Sequence, residues 1–116
     1  MSGLNLSEIS EDGVLILGAE GRLDAQTAPG LQASILEKIE GGETRVVLDL
    51  EKLSYISSAG LRVILVTAKK LKETEGRLVV CTLQEGVAEV FRISGFDSIV
   101  DTAENRSAAL SSVTSS

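Results

Sequence analysis

The chain has no histidine and no tryptophan, one cysteine, one proline and three aromatic residues in 116. Each shortage excludes something. Without histidine there can be no Ser-His-Asp triad and no histidine-bearing zinc site. A lone cysteine, Cys81, rules out an intrachain disulfide and fits a reducing compartment. Within the apolar run Leu78-Val79-Val80-Cys81 it reads as a small buried hydrophobe. With only Tyr55, Phe91 and Phe96 aromatic, the core has to be built from Leu, Ile, Val and Ala. No run approaches the roughly 20 apolar residues of a membrane span. Residues 1–10 lack the basic and apolar regions of a signal peptide, so a cytoplasmic location is expected. Clustered positive charge is scarce too. The net charge is −6 with acids and bases interspersed, which argues against nucleic acid or an anionic membrane as partner. The one basic cluster, Lys69-Lys70-Leu71-Lys72, falls on a predicted helix and reads as a solvated face. No Gly-rich loop ends in Gly-Lys-Ser/Thr, so no nucleotide site is expected, and neither a cofactor nor a metal is implied.

What is present is the mix of a globular protein, 43% hydrophobic and 24% charged, at a length suited to one domain over residues 1–116. Leu4 and Leu6 alternate with polar residues, Glu11-Asp12-Gly13 supplies a turn, and Val14 to Leu17 completes an amino-terminal hairpin. Gly18 and Gly21 frame a loop, Glu20-Gly21-Arg22-Leu23-Asp24. Ala28-Pro29 opens a helix with Leu31, Ile35, Leu36 and Ile39 on one face, stopped by Gly41-Gly42. A strand is expected over Val46 to Leu50. A second helix follows from Ser58 to about Thr74, with Leu61, Ile64, Leu65, Ala68 and Leu71 inward. Leu78 to Cys81 reads as a strand, and Gln84 to Ser94 as a helix with Val87, Val90 and Phe91 buried. Ile99-Val100 is a candidate last strand, Ser107 to Val113 a final helical segment, and residues 111–116 a frayed tail. Strands separated by helices imply an α/β domain: a mixed, mostly parallel sheet of four to five strands with about four helices.

The most informative stretch joins the strand ending Asp49-Leu50 to the helix opening Ser57-Ser58-Ala59-Gly60-Leu61-Arg62. A serine at such a helix start lies beside unpaired backbone N–H groups and the positive end of the helix dipole, where a phosphate could be held. The same spacing equally suits a plain N-cap, since a serine hydroxyl accepts from N–H groups two or three residues on. Ala59-Gly60 would keep the first turn bare and Ser58 accessible.

Asp49-Leu50, then Leu53-Ser54-Tyr55-Ile56-Ser57-Ser58-Ala59-Gly60-Leu61, resembles the signature of the STAS family, the bacterial anti-sigma factor antagonists. The loop Gly21-Arg22-Leu23-Asp24, the strand Leu78 to Cys81, and Val90-Phe91 ahead of Ser94-Gly95 extend the resemblance over nearly the whole chain. It implies a STAS fold and a regulator without catalytic activity that works by partner switching. The unphosphorylated antagonist binds an anti-sigma factor and frees a sigma factor. That anti-sigma factor is also an ATP-dependent serine kinase, which inactivates the antagonist by phosphorylation, and a PP2C-like phosphatase reverses it. The family's acceptor falls on Ser58 and its loop acid on Asp24. Well-known members carry Asp before the acceptor where this chain has Ser57, which leaves Ser57 as an alternative acceptor; Ala59 replaces another common hydroxyl residue. A docking surface of Asp24, Ser57, Ser58, Gly60, Leu61 and Arg62 follows from the resemblance. Asp24 read alone is equally a turn former, and Arg62 a solvated first-turn residue.

Two other readings compete, a receiver domain and, harder to separate, another role within the STAS fold. Val47-Leu48-Asp49-Leu50 resembles the strand bearing a receiver domain's phosphoacceptor aspartate. No acidic pair suited to Mg²⁺ stands in register, however, and no lysine follows residue 77, so Asp49 reads as a strand-end carboxylate contacting loop amides. A STAS adaptor or scaffold whose output is not a sigma factor remains open, because the switch serine does not define the output.

Overall fold

The computed structural model describes residues 3–114. The order is β1 (Leu4–Glu11), β2 (Val14–Leu23), α1 (Ala28–Glu40), β3 (Arg45–Asp49), β4 (Leu53–Ile56), α2 (Ser58–Glu73), β5 (Arg77–Cys81), α3 (Glu85–Ser94), a 3-10 turn (Phe96–Ser98), β6 (Asp101–Ala103) and α4 (Arg106–Thr114). The strands form one mixed sheet in the order β1-β2-β3-β5-β6. Only β1–β2 is antiparallel, and β4 pairs with β2 off this path.

The α/β class, the mostly parallel sheet and the four helices agree with the expectation, but the sheet has six strands, not four to five. The strand missed is β4. Leu53-Ser54-Tyr55-Ile56 buries only its two ends. That pattern has no period of two to announce a strand; it forms because β2 offers a free parallel edge. The expected loop at 20–24 is likewise strand as far as Leu23. β2 uses Leu15 to Gly18 against β3 and Gly21 to Leu23 against β4, with a register shift between Gly21 and Arg22. Gly21 takes φ +116, and a Cβ there would strike the Gly3 carbonyl oxygen, so the crossing requires glycine.

Two apolar layers sandwich the sheet. On one face α1, α2 and α3 pack through Leu31, Ile35, Ile64, Leu71, Val87 and Phe91 onto Leu15, Leu17, Val46, Leu48, Leu78 and Val80. On the other, Ala109 and Val113 of α4 cover Val14, Ile16, Val47, Val79 and Cys81. Strands buried on both faces lose the alternation of a half-exposed strand, which is why β3 and β5 read as unbroken apolar runs. Cys81 is fully buried. Burial first of all, with Asp49 nearby, pushes its thiol up against the opposing effects of Thr82 and Arg106, so it stays protonated and inert.

Three further expectations are corrected. Ile99 is exposed and follows the 3-10 turn, and the last strand comes just after, at Asp101–Ala103. Residues 111–114 belong to α4, and Val113 is 2% exposed, so that part of the expected frayed tail is docked; the last two residues of that tail lie outside the described residues. In α2 the inward face is Leu61, Val63, Ile64, Thr67 and Leu71, while Leu65 and Ala68 are half-buried. Among the described residues, no helix is long and apolar enough to cross a membrane.

Candidate functional site

The site is assembled where β2 and β4 end side by side. Leu23 pairs with Ile56, and the Ser57 N–H donates to the Leu23 carbonyl at 2.9 Å, so the β2–α1 connection and the start of α2 leave the sheet together. This brings Asp24, which follows Leu23, and Ser57, which follows Ile56, to the same end of the sheet.

The two serines divide the roles that spacing alone could not separate. Ser57 is the N-cap of α2: it is extended, at φ −102 and ψ 177, and its Oγ accepts from the Gly60 N–H at 3.4 Å. Its carbonyl accepts the first helical bond from the Leu61 N–H. Ser58 is the first helical residue and is exposed. Its hydroxyl enters no hydrogen bond among the described residues, so the cap makes no demand on it.

Gly60 and Leu61 belong to the docking surface that the resemblance implies, yet both are buried; for Leu61, at 8% exposure, this is the inward placement that the helix pattern already gave. The bare side of Gly60 faces the core. A Cβ there would lie 2.7 Å from Leu23 Cγ and 2.8 Å from Ile56 Cγ1. Gly60 therefore lets the first turn of α2 close onto the strand tips, and Ser58 and Arg62 are turned outward as a result.

Asp24 is a turn former. Its Oδ1 accepts from the N–H groups of Gln26 and Thr27, at 3.0 and 3.2 Å. The Thr27 hydroxyl accepts from the Asp24 N–H and donates to the Arg22 carbonyl, which ties the loop on itself. Desolvation pushes the Asp24 carboxyl up. The hydrogen bonds from Thr27 and Gln26 and the Arg22 charge outweigh it and hold the carboxyl below the usual carboxylate range.

Two features escaped the sequence reading. Arg22 stacks over the Tyr55 ring, 4.2 Å from its centroid, and stands 3.8 Å from Asp24. The pair in register Arg22–Tyr55 would have revealed it, had β4 been recognised as a strand. The second is Arg106, in the first turn of α4, whose Nε and Nη2 donate to Asp49 Oδ2 at 3.1 and 2.9 Å. Asp49 Oδ1 accepts from the Glu51 N–H at 3.0 Å, the loop-amide contact expected of it. Held on both oxygens, Asp49 is a structural carboxylate. No sequence signal links positions 49 and 106.

An exposed hydroxyl on the first helical residue, with free N–H groups behind it, can receive a phosphate and hold it by charge-assisted hydrogen bonds.

The fold is that of a STAS domain: the STAS domain family matches residues 7–109, and the chain belongs to that family. The chain is 50% identical over 98 residues to BtrV, a candidate anti-sigma factor antagonist of Bordetella bronchiseptica, with 84% of each chain covered. It is 25% identical to the anti-sigma-B factor antagonist of Staphylococcus aureus, over 87% of this chain and 94% of that protein. The crystal structure of an anti-sigma factor antagonist from Mycobacterium paratuberculosis superposes with a TM-score of 0.89 at 23% identity, covering 99% of this chain and 100% of that one; this likeness speaks for the fold.

Proposed function

We propose that this chain is a cytoplasmic anti-sigma factor antagonist that acts by partner switching through Ser58. In its unphosphorylated form it binds an anti-sigma factor and releases a sigma factor. The anti-sigma factor, which holds the ATP, transfers the γ-phosphoryl group to Ser58 Oγ; ADP leaves and the hydroxyl proton is lost. A PP2C-like phosphatase hydrolyses the ester and restores the hydroxyl. The chain is thus a substrate of catalysis, not a catalyst.

The observation that carries this reading is the division between Ser57 and Ser58. Ser57 does the capping, so the exposed Ser58 hydroxyl is spared for modification. The same division favours Ser58 over Ser57 as acceptor, because the Ser57 hydroxyl is half-buried and already engaged by the Gly60 N–H, whereas that of Ser58 is exposed and unengaged. Phosphorylation adds about −1.5 to −2 charge at pH 7. Ser58 and Arg62 form the exposed part of the docking surface, Asp24 and Ser57 are half-buried beside them, and Gly60 and Leu61 support it from beneath. A phosphate within that surface disrupts a close interface by bulk, desolvation and repulsion from Asp24, without a change of fold.

The test is mass spectrometry of the protein purified from its own host, with and without phosphatase, mapping phosphate to individual serines. Phosphate on Ser58 that disappears in Ser58→Ala supports the switch. No phosphate at either Ser57 or Ser58 across growth conditions would overturn it in favour of a constitutive STAS adaptor.

A further inference from the structure

Arg62 stands one helical turn beyond Ser58, and both side chains are exposed on α2. Residues four apart share a helix face, and an anion placed N-terminal to a cation at that spacing is the favourable order. On its own helix Arg62 has no carboxylate to answer: the positions three and four residues away are Ser58, Ala59, Leu65 and Val66. Across from it lies the groove between α1 and α2, about 440 Å³, whose walls include Pro29, Ala33, Leu36, Ala59 and Val63. Gln32 is the other polar residue there and Arg62 the only charged one among the described residues. Among the described residues Arg62 enters no ion pair, and neither does Arg45 of β3, whereas Arg22, Arg77, Arg92 and Arg106 each do. An exposed guanidinium is thus kept clear of acids in a chain of net charge −6, one turn from an exposed serine.

Resting on the reading of Ser58 as phosphoacceptor, we propose that Arg62 reads the phosphate within the molecule. Its guanidinium pairs with phosphoserine at position 58 across one turn of α2 and holds the phosphate against the helix start. A planar fork of donors suits phosphate oxygens better than a lysine point charge does. The pairing also engages the one charge lining the α1–α2 groove, so modification changes two features of the surface at once. Two other charged groups stand at this end of the sheet, Asp24 on the β2–α1 connection and Arg22 at the end of β2. Asp24 opposes the phosphate dianion. Arg22 favours it but is already shared between Asp24 and the Tyr55 ring. The α1 residues lining the groove are uncharged.

The test installs phosphoserine at position 58 during translation, so no kinase is needed, and follows the second phosphate ionisation by ³¹P NMR. The expected result is a phosphate pKa about 0.3 unit higher in Arg62→Gln than with Arg62 present, with Arg62→Lys between them. Arg22→Gln should move it less, and added salt should shrink the difference. Superimposable titrations with Arg62 and in Arg62→Gln would overturn the proposal and leave Ser58 as acceptor untouched. If Ser58 carries no phosphate in the host, the functional reading fails instead, and the titration still reports on the pair. Both side chains are exposed, so the variants are expected to fold, as far-UV circular dichroism would verify.

Discussion

The start of α4 and the start of α2 are both capped by a polar side chain, yet one is fastened to the sheet by charge and the other is left open. At α4, Asn105 Oδ1 accepts from the Ala108 N–H at 2.8 Å, and Arg106 grips Asp49, whose side chain is only 7% exposed. A cation in a first turn opposes the helix dipole, so Arg106 is explained by Asp49 and not by the helix. At α2 the cap is a longer contact from Ser57, apolar packing under Gly60 holds the turn, and the outward residues Ser58 and Arg62 have no partner among the described residues. The contrast separates anchoring from signalling. Charge spent on Asp49 holds α4 over the second core, while charge left unspent at α2 is available to a phosphate or a partner.

The largest effect should come from breaking the fastened end. Arg106→Ala strands a nearly buried carboxylate. Removing one partner of a buried pair costs several kcal/mol, but Arg106 is 44% exposed and water can reach the gap, so we expect a loss of about 2 kcal/mol in urea unfolding. A change under about 0.5 kcal/mol would mean that α4 is held without this pair, by its apolar contacts and the Arg77 hydrogen bond to the Ser112 carbonyl. Next comes the packing that stands in for charge at α2. Gly60→Ala drives a methyl against Leu23 and Ile56, offset by the better helix propensity of alanine, for a net loss of about 1 kcal/mol. Unchanged stability there would show that the strand tips yield easily.

Smaller still is the contrast between the two serines. Ser57→Ala should cost about 0.5 kcal/mol through loss of a long cap bond, and leave position 58 open to labelling. Ser58→Ala should stay within about 0.5 kcal/mol of the parent and abolish labelling. Equal labelling of the parent and Ser58→Ala would assign the phosphate elsewhere. The smallest effect concerns pH. The Asp24 carboxyl is held below its ordinary value in the folded protein, so folding favours the ionised form. Its contribution is present above the unfolded-state pKa and lost as pH falls through the folded one. Asp24→Asn should therefore flatten the acid side of the stability curve below roughly pH 4, where thermal midpoints would be compared. An acid limb identical to the parent's would mean that the loop hydrogen bonds persist without the charge.

Much of this was legible in order along the chain. The hairpin, α1, α2, α3 and the buried strands announce themselves by apolar period and by punctuation at Gly13, Pro29 and Gly95. β4 was not legible, because a strand of four residues with buried ends has no period and exists through its pairing with β2. The site was legible in its residues and only partly in their roles. Gly60 looks accessible in a motif read as a line and the helix turns it inward, whereas the apolar period already placed Leu61 on the inner face.

By itself, the sequence determined which residues could carry chemistry and which chemistries were impossible. Composition and motif order are local properties of the chain: the absence of histidine, the single cysteine, and the pair Ser57-Ser58 ahead of an apolar helix. The tertiary structure alone decided which serine caps and which is exposed, that Arg106 reaches Asp49 across 57 residues, and that Arg22 stacks on Tyr55. Those outcomes depend on the register of β2 against β3 and β4 and on the facing of each helix. Hydrogen bonds and ion pairs act over a few ångströms of space, and separation along the chain does not reveal that distance.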